Sequence, residues 1–276
     1  MEEFKSGFVT VIGKTNVGKS SLINKLTGEK ISAVTNKSQT TRKNVKAIVN
    51  RPNSQIIFID TPGFHKPLSK LSDIMNEEAA STIPDVDLVI YMIDATEKQV
   101  DTKTINKIKE SKKKAILIIN KIDLVNANRV AELIEKYNKE YDFSTIIPIS
   151  IKNNKNIDDV FTEIEKNLNA GVKYYDTDEY TDQSLKDIIA EIIREKALKL
   201  LRDEVPHGIY VEVTKLKTRK TIKNEKIFDI NATIYCLRNS HKGIILGKGG
   251  SMLKKIGTYS REDIEKMLDS KVNLQL

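Results

Sequence analysis

The sequence predicts an α/β fold with a mixed, mostly parallel sheet flanked by helices, followed by a smaller α+β domain. Six apolar runs of strand length recur in the first part of the chain, and amphipathic segments of helix length lie between several of them. Continuous apolar runs are typical of parallel strands that are buried on both faces of a sheet. In order, the runs are FVTVIG, VKAIV, QIIFID, DLVIYMID, AILIIN and STIIPIS.

Composition limits the class of protein. The chain has 276 residues, of which 39% are hydrophobic and 30% charged, so it can bury a sizeable core and is not a disordered chain. No apolar run approaches the roughly 18 residues that cross a bilayer, and residues 1–6 lack the apolar core of a signal peptide. We therefore expect a cytoplasmic protein. The single Cys236 cannot form an internal disulfide and is predicted to be a small buried hydrophobe.

Domain boundaries follow from where the periodicity changes. Residues 1–168 form the predicted first domain, in which segments 128–141 and 157–168 read as helices of βαβ units. Residues 169–183, rich in Tyr, Asp and Gly, lose this periodicity and are predicted to be a linker. The second domain, 184–276, is predicted to contain a helix over 184–201, strands over 209–216 and 226–237 with a basic turn between them, a glycine loop, and a final short helix and strand.

A phosphate-binding motif, GKTNVGKS, follows the first strand and opens a helix. In this G-x-x-x-x-G-K-S pattern the glycines allow backbone N–H groups to turn toward phosphates, Lys19 reaches the outer phosphates, and the Ser20 hydroxyl ligates Mg²⁺. The motif indicates a nucleotide without selecting its base. The predicted phosphate-binding residues are Gly13, Lys14, Thr15, Asn16, Val17, Gly18, Lys19 and Ser20.

The base is predicted from NKID, which ends the fifth apolar run. The Asp123 carboxylate can accept hydrogen bonds from both N1–H and the exocyclic amine of guanine, and adenine does not present that pair of donors. A loop at the end of the sixth run would support the base through backbone N–H groups. The predicted base-binding residues are Asn120, Lys121, Ile122, Asp123, Ser150, Ile151 and Lys152.

Two further loops are predicted to sense the terminal phosphate. In DTPG, Asp60 would hold a water on Mg²⁺ and the Gly63 N–H would bond the γ-phosphate, with Thr61 and Pro62 beside them. In NKSQTTRKN, Thr41, or less favourably Thr40, would close over Mg²⁺. Loss of the γ-phosphate would release both loops. Ser20, Thr41 and Asp60 are thus the predicted metal residues, with Asp60 acting through water.

The second half carries a concentrated positive charge. Residues 205–261 contain 12 Lys or Arg against 3 Asp or Glu, whereas residues 171–204 contain 6 against 9. Within the basic stretch, GKGG between two helix-like segments resembles the GxxG loop of a KH domain, whose backbone approaches single-stranded RNA closely. The predicted RNA-binding residues are Lys242, Ile244, Ile245, Gly247, Lys248, Gly249, Gly250 and Lys254.

Taken along nearly its full length, the sequence resembles the Era family of bacterial GTPases. The first half shares GKTNVGKS, QTTR, DTPGFHKP and NKID with it, and the second shares EIIREKALKLLRDEVPH and HKGIILGKGG. The resemblance implies a Ras-like P-loop G domain followed by a type II KH domain. It also implies GTP hydrolysis, binding of the 3′ end of 16S ribosomal RNA during assembly of the 30S subunit, peripheral association with the inner membrane, and a monomer.

Resemblance to the GTPases also bears on catalysis. Phe64 stands where many of them carry a water-orienting Gln, so a side-chain amide is missing there. GTPases with an apolar residue at this place and Asn at the position of Asn16 often bind K⁺ beside the phosphates. The alternative is that Asn16 only supports the turn and that hydrolysis waits for a partner. The residues predicted to act in catalysis are Asn16, Lys19, Thr41 and Gly63.

Two alternatives remain for the second domain. Family members usually continue past the strand VNLQL into a C-terminal helix, whereas the sequence here stops at Leu276, which suggests either a truncated sequence or a shortened KH domain. A GTP-regulated protein that acts on another RNA, or one with a defective KH domain, is therefore the second interpretation. A regulatory GTPase of another kind would lack IREK, EVPH and the GxxG loop, and an inactive nucleotide site would break GKTNVGKS or NKID.

Overall fold

The computed structural model describes residues 3–29, 31–34, 44–61, 81–201, 208–220 and 224–276. Its chain divides into two compact units. Unit 1 comprises Met1–Ser32 and Thr41–Asp182, and unit 2 comprises Ala33–Thr40 and Gln183–Leu276. Unit 1 has the α/β fold class and unit 2 the α+β fold class that the sequence predicts.

Unit 1 is built on a six-stranded sheet whose strands follow the order β2-β3-β1-β4-β5-β6. All neighbouring pairs are parallel except β2 with β3, which is antiparallel. Each predicted apolar run forms one strand. The strands are β1 (Lys5–Ile12), β2 (Val45–Arg51), β3 (Ser54–Asp60), β4 (Leu88–Asp94), β5 (Lys114–Asn120) and β6 (Thr145–Pro148).

Helices of unit 1 bury one apolar face each against this sheet, which gives the unit two hydrophobic clusters. Asp101 and Asn126 cap two of these helices, because each side chain accepts a hydrogen bond from a backbone N–H in the first turn. The four helices among the described residues are α1 (Lys19–Thr27), α2 (Thr102–Ser111), α3 (Ala127–Glu140) and α4 (Ile157–Asn167).

Parallel pairing brings the functional motifs to one edge of this sheet. Strands β1, β3, β4 and β5 run in the same direction, so the loops that follow them leave from the same edge. In α/β sheets this edge is where ligands bind. The loops after β1, β3 and β5 carry the phosphate-binding motif, DTPG and NKID.

The predicted linker is packed against unit 1 up to Asp182. We call residues 169–182 the strap. Along the free edge of β2, Ile48 donates a 2.9 Å hydrogen bond to the Tyr180 carbonyl, and the Thr181 hydroxyl donates a 2.7 Å bond to the Lys46 carbonyl. The sequence pattern missed these contacts because the strap pairs through single bridges and has no helical or strand periodicity of its own.

One buried side chain organises the middle of the strap. Gln55, on β3, is fully buried and accepts hydrogen bonds from the backbone N–H groups of Tyr174 at 2.7 Å and Tyr175 at 3.0 Å. Its amide nitrogen donates to the Tyr175 carbonyl at 2.8 Å and to the Asn50 side chain at 2.7 Å. The amide of Gln55 therefore uses both its donors and its acceptor.

Unit 2 is a three-stranded sheet in the order β7-β8-β9 with helices on one face. Strands β7 and β8 are antiparallel, and β9 is parallel to β8. The elements are α5 (Leu185–Leu200), β7 (Ile209–Lys220), β8 (Lys226–Cys236), α6 (Asn239–Leu246), α7 (Ser251–Leu268) and β9 (Lys271–Gln275). This α-β-β-α-α-β order agrees with the predicted KH domain.

Two elements of unit 2 are longer than the sequence pattern indicates. Strand β7 continues past Leu216 to Lys220, because its basic end pairs with the start of β8 after a register shift between Val213 and Lys215. Helix α7 runs for 18 residues and buries Ile256, Ser260 and Ile264. Side chains at the polar end of β7 face solvent, so hydrophobic alternation gives no signal for it there.

Candidate functional site

The phosphate-binding motif forms a tight loop between β1 and α1. Gly13 and Gly18 have φ values of 147° and 112°, and a Cβ at these positions would lie 2.2 Å from the Met92 carbonyl oxygen and 2.5 Å from Nδ2 of Asn120. Both positions therefore require glycine. Asn16 is exposed and adopts a left-handed φ of 63°, which asparagine tolerates better than most residues. The loop can thus expose backbone N–H groups to an anion.

Lys19, the first residue of α1, is buried beneath this loop. Only 7% of the residue is exposed, and its ammonium donates to the carbonyls of Gly13 at 3.1 Å and Lys14 at 3.0 Å. Burial lowers the pKa of Lys19 to about 8, although the nearby Asp60 carboxylate acts in the opposite direction. A phosphate would add further negative charge beside this buried cation.

NKID is attached to the phosphate-binding loop by two side chains. Asn120 donates from Nδ2 to the Val17 carbonyl at 2.8 Å, and Lys121 donates from Nζ to the Asn16 carbonyl at 2.8 Å. Lys121 also forms a 2.6 Å ion pair with Asp94. Although burial alone would raise it, the pKa of Asp94 is lowered by hydrogen bonds from Lys121 and Thr96. The two motifs therefore belong to one site.

Asp123 is fixed by the loop that follows β6. The Ser150 hydroxyl donates a 2.6 Å hydrogen bond to Oδ1 of Asp123 and accepts one from the Asn153 backbone at 3.2 Å. The Ile151 backbone N–H lies 3.3 Å from Oδ1 of Asn120. Ile122 and Asp123 lie in a 3-10 turn, and Lys152 is exposed. The loop after β6 thus positions Asn120 and Asp123 of NKID.

Asp60 ends β3 at the same edge of the sheet, Thr61 follows it directly, and both are fully buried. The Thr61 hydroxyl donates to the Val11 carbonyl at 2.8 Å, which ties this strand end to β1. Ser20, which follows Lys19 in α1, is partly buried. Hydroxyl and carboxylate oxygens are the donors that Mg²⁺ prefers. The remaining predicted residues of these loops, Thr40, Thr41, Pro62, Gly63 and Phe64, lie outside the described residues.

In unit 2, the glycine loop joins α6 to α7. Gly247, Gly249 and Gly250 all have left-handed φ values, of 70°, 58° and 77°. A Cβ on Gly247 would lie 2.8 Å from the backbone of Met252, whereas a Cβ on Gly249 or Gly250 would meet no atom within 4 Å. Gly247 is therefore needed for the turn, and the space around the other two is open to an approaching strand.

The side chains around this loop divide into two groups. Lys242, Lys248 and Lys254 are exposed and can reach phosphates. Of the two predicted base contacts, Ile244 is 50% exposed, whereas Ile245 is 5% exposed and packs in the core of unit 2. Ile245 is also one of the residues that line a cavity of about 190 Å³, together with Cys236 and Leu276. Helical periodicity places neighbours on different faces, so only Ile244 presents its side chain to solvent.

Comparison with known proteins shows the family of this chain. A family model described as 50S ribosome-binding GTPase matches residues 8–121, and one described as KH domain matches residues 204–276. GTPase Era of Clostridium tetani is 49% identical over 99% of this chain and 92% of its own length. GTPase Era of Thermoanaerobacter sp. is 48% identical over 99% of this chain and 90% of its own. This chain belongs to the Era GTPase family.

Two solved Era structures are similar to this chain over nearly its full length. Era in complex with MgGDPNP and nucleotides 1506–1542 of 16S ribosomal RNA matches with a TM-score of 0.92 at 39% identity, covering 99% of this chain and 92% of that one. A variant of Aquifex aeolicus Era bound to GDP and AlF₄⁻ matches equally well. Membership in the Era family confirms the predicted family, the Ras-like and KH fold classes and the assignment as a GTP-hydrolysing enzyme.

Three residues beside the Era nucleotide motifs were not predicted from the sequence. Glu97 forms an ion pair with Lys14 of the phosphate-binding loop. Arg129, in α3, donates to the Glu97 carbonyl, and Asp94 pairs with Lys121. These residues follow β4 or lie on α3, outside the recognised motifs. Only the position of Asp94 at the end of an apolar run, where ligand-binding loops begin, could have indicated them.

Proposed function

We propose that this chain binds and hydrolyses GTP and uses the bound nucleotide to control binding of the 3′ end of 16S ribosomal RNA during assembly of the 30S subunit. The observation that carries the proposal is the attachment of NKID to the phosphate-binding loop through Asn120 and Lys121, at 2.8 Å each. These contacts place a guanine-selective carboxylate and a phosphate loop in one site.

In this proposal, the phosphate-binding loop and Lys19 bind the phosphates, and Asp123 selects guanine. Ser150 keeps the Asp123 carboxylate in place through its 2.6 Å hydrogen bond. A bound phosphate would replace the carbonyls of Gly13 and Lys14 as the partner of the Lys19 ammonium. Because burial of the Lys19 cation is costly and the Asp60 carboxylate offsets only part of that cost, a phosphate beside Lys19 favours the nucleotide-bound state.

Ser20 and Asp60, together with Thr41, would hold Mg²⁺, with Asp60 acting through water. When bound, the ion supplies positive charge between the outer phosphates. The fit is supported by the burial of Asp60 at the end of β3, and by the position of Ser20 in the first turn of α1, directly after the phosphate-binding loop. Thr41 and Gly63 would contact Mg²⁺ and the γ-phosphate from the two switch loops.

Asn16 would hold K⁺ against the phosphates, since Phe64 has no amide with which to orient water. The exposure of Asn16 and its place within the phosphate-binding loop support this role. When bound, K⁺ adds the positive charge that an arginine finger supplies in other GTPases. A catalytic partner protein is the alternative source of that charge.

Unit 2 would bind RNA through its glycine loop, with phosphates near Gly249 and Gly250 and with Lys242, Lys248 and Lys254. The open space around the two glycines and the exposure of the three lysines support this assignment. The binding partner named for the related Era complex, nucleotides 1506–1542 of 16S ribosomal RNA, supports the choice of RNA.

Peripheral association with the inner membrane and a monomeric state are parts of the proposal that rest on family resemblance. Among the residues that the structure describes, no helix has the length and apolar character needed to cross a bilayer.

Two measurements test the proposed function. GTP hydrolysis by the purified chain should depend on an intact Lys19, and crosslinking in cells followed by sequencing of the attached RNA should recover the 3′ end of 16S ribosomal RNA. Recovery of a different RNA would favour the second candidate, a GTP-regulated protein with another RNA target. Absence of both activities would contradict the proposal.

A further inference from the structure

The sheet of unit 2 has one face that its own helices leave uncovered. Side chains alternate along β7 and β8, and the inward set, which includes Val211, Ile230 and Ala232, packs with the helices in one hydrophobic core. No outward side chain of these strands belongs to that core. We call the outward side chains of β7, β8 and β9 the outer face.

Aromatic and apolar groups cluster at one end of the outer face. Tyr210 on β7 lies directly opposite Tyr235 on β8, and their ring centroids are 5.9 Å apart at an interplanar angle of 33°. Tyr210 is 58% exposed, Tyr235 is 48% exposed, and Leu237 beside them is 81% exposed. Large apolar side chains exposed together, outside a core, mark an interaction surface.

Basic side chains continue the same face along β7. Lys215 and Lys217 are exposed and form no ion pair among the described residues. The two carboxylates of the face already have partners: Glu212 accepts a 3.0 Å hydrogen bond from the Tyr235 hydroxyl, and Asp229 pairs with Arg219 at 2.7 Å. Lys215 also acts electrostatically on the Asp229 carboxylate, so the outer face offers exposed aromatic rings and an excess of positive charge over negative charge.

We propose that the outer face is a second binding surface for single-stranded RNA, on which bases stack against Tyr210 and Tyr235 and phosphates meet Lys215 and Lys217. The inference rests on the proposed function, because the same RNA is held at the glycine loop. Sheets with exposed aromatic rings bind RNA in this way in other proteins, and stacking on aromatic side chains accepts every base.

Dimensions agree with this assignment. The strand from Tyr210 to Lys217 is roughly 20 Å long at about 3.3 Å per residue, which matches several stacked nucleotides at about 3.4 Å each. A GxxG loop clamps only about four nucleotides. Nucleotides 1506–1542, bound in the related Era complex, form a much longer segment, so an RNA of that kind extends beyond one loop.

Charge favours RNA over a protein partner. The strongly exposed large apolar side chains at this end of the outer face are Tyr210 and Tyr235, with Leu237 directly after β8, whereas a protein interface normally has a larger apolar centre with few charged residues. Lys215 and Lys217 lie on the same strand as Tyr210, so the ring and the two lysines follow one another along β7. A linear arrangement of rings and lysines fits a polyanionic strand with exposed bases.

The test compares two RNAs by fluorescence anisotropy, using the full chain. One is a four-nucleotide oligomer for the glycine loop, and the other is a single strand of about 20 nucleotides that contains the same four. Tyr210→Ala/Tyr235→Ala should lower affinity for the long RNA roughly tenfold or more and leave the short one unchanged. Lys215→Gln/Lys217→Gln should reduce the salt slope for the long RNA by about two.

Matched variants separate stacking from folding. Tyr210→Leu/Tyr235→Leu keeps an apolar strand surface but removes the rings. It should lower affinity for the long RNA as much as the double alanine variant does. Tyr259→Ala removes a tyrosine that is 45% exposed on α7, away from the outer face, and it should change the affinity for neither RNA.

Each other outcome has a definite meaning. If the double variants of Tyr210 and Tyr235 bind the long RNA as tightly as the wild type, the inference is overturned. The outer face would then be a candidate binding surface for a protein partner. An equal loss of affinity for both RNAs would also overturn the inference, because the effect would then act through the fold of unit 2. If the wild-type chain binds neither RNA, the proposed function itself fails, and the inference fails with it.

Discussion

The Ser150 hydroxyl lies 2.6 Å from Oδ1 of Asp123, so the carboxylate proposed to select the base is held by a residue from a different loop. Ser150 is 1% exposed, and its oxygen also accepts a backbone hydrogen bond from Asn153. The orientation of Asp123 therefore depends on the folded loop after β6 as well as on NKID itself.

Ser150→Ala should weaken GDP binding about tenfold, because a hydrogen bond to a charged group contributes roughly 1.5–3 kcal/mol and Asp123 loses one. Isothermal titration with GDP measures the change. Thermal unfolding without nucleotide serves as the control, since a large loss of stability would attribute the effect to folding. Unchanged GDP affinity would show that Asp123 needs no support from Ser150.

Asp123→Asn should convert guanine preference to xanthine preference, because the substitution replaces an acceptor by a donor where the base presents its exocyclic group. Competition against labelled GDP by GTP, XTP and ATP measures the change. Wild-type protein should bind GTP far more tightly than ATP. Equal affinity of the wild type for ATP and GTP would contradict the assignment of Asp123.

Exchange of Na⁺ for K⁺ should raise GTP turnover if Asn16 holds the ion, and Asn16→Ala should remove that response while leaving nucleotide binding intact. Asn16 has a φ of 63°, so alanine also introduces backbone strain. Asn16→Gly is the matched control, because it removes the amide without that strain. Identical turnover of the wild type in the two salts would assign the catalytic charge to a partner protein.

Without nucleotide, the unfolding free energy of the wild-type protein should rise relative to that of Lys19→Met as the pH increases from 8 to about 10. The folded-state pKa of Lys19 is lowered to about 8 by burial, from an ordinary value of 10.5. Between these values the unfolded chain binds a proton that the folded chain does not, so unfolding free energy rises by about 1.4 kcal/mol per pH unit. Urea unfolding of both proteins across this range measures the difference.

Below pH 8, Lys19 is charged in both states and its burial cost of about 3 kcal/mol is fully present. Lys19→Met should therefore be the more stable protein near pH 7 without nucleotide. Addition of GDP should reverse the order, because only the wild type gains from the phosphate. Parallel stability curves for the two proteins from pH 7 to 10 would show that Lys19 is not desolvated.

Gly249→Asp should lower RNA affinity at least tenfold while leaving GTP hydrolysis without RNA nearly unchanged. A Cβ at Gly249 meets no atom within 4 Å, so the charge acts on the approaching phosphate. Gly249→Asn is the matched control, since asparagine has the same shape, tolerates a left-handed φ and carries no charge. Filter binding at several salt concentrations measures both, and equal affinities for the two variants would exclude a phosphate at this position.

The nucleotide site was largely predictable from sequence because its chemistry lies in short contiguous motifs. GKTNVGKS and NKID each follow an apolar run, and parallel strands bring such segments to one edge of the sheet. Contacts between the motifs were not predictable. The bonds from Lys121 to Asn16 and from Ser150 to Asp123 join residues that are 105 and 27 positions apart.

Prediction was weakest where local periodicity carries no information. Ile244 and Ile245 are adjacent and chemically alike, and only the packing of α6 decides that one is exposed and the other buried. Likewise, the polar end of β7 has no alternating pattern, because its pairing with β8 and not burial makes it a strand.

Gln55 and the strap have a consequence for solubility. Strand β2 ends the sheet, and an uncovered edge strand can pair with the same edge of another molecule. Tyr180 and Thr181 occupy the backbone groups of Ile48 and Lys46 along that edge. Because Gln55 anchors the neighbouring part of the strap, this one buried amide also protects the protein from edge-to-edge aggregation.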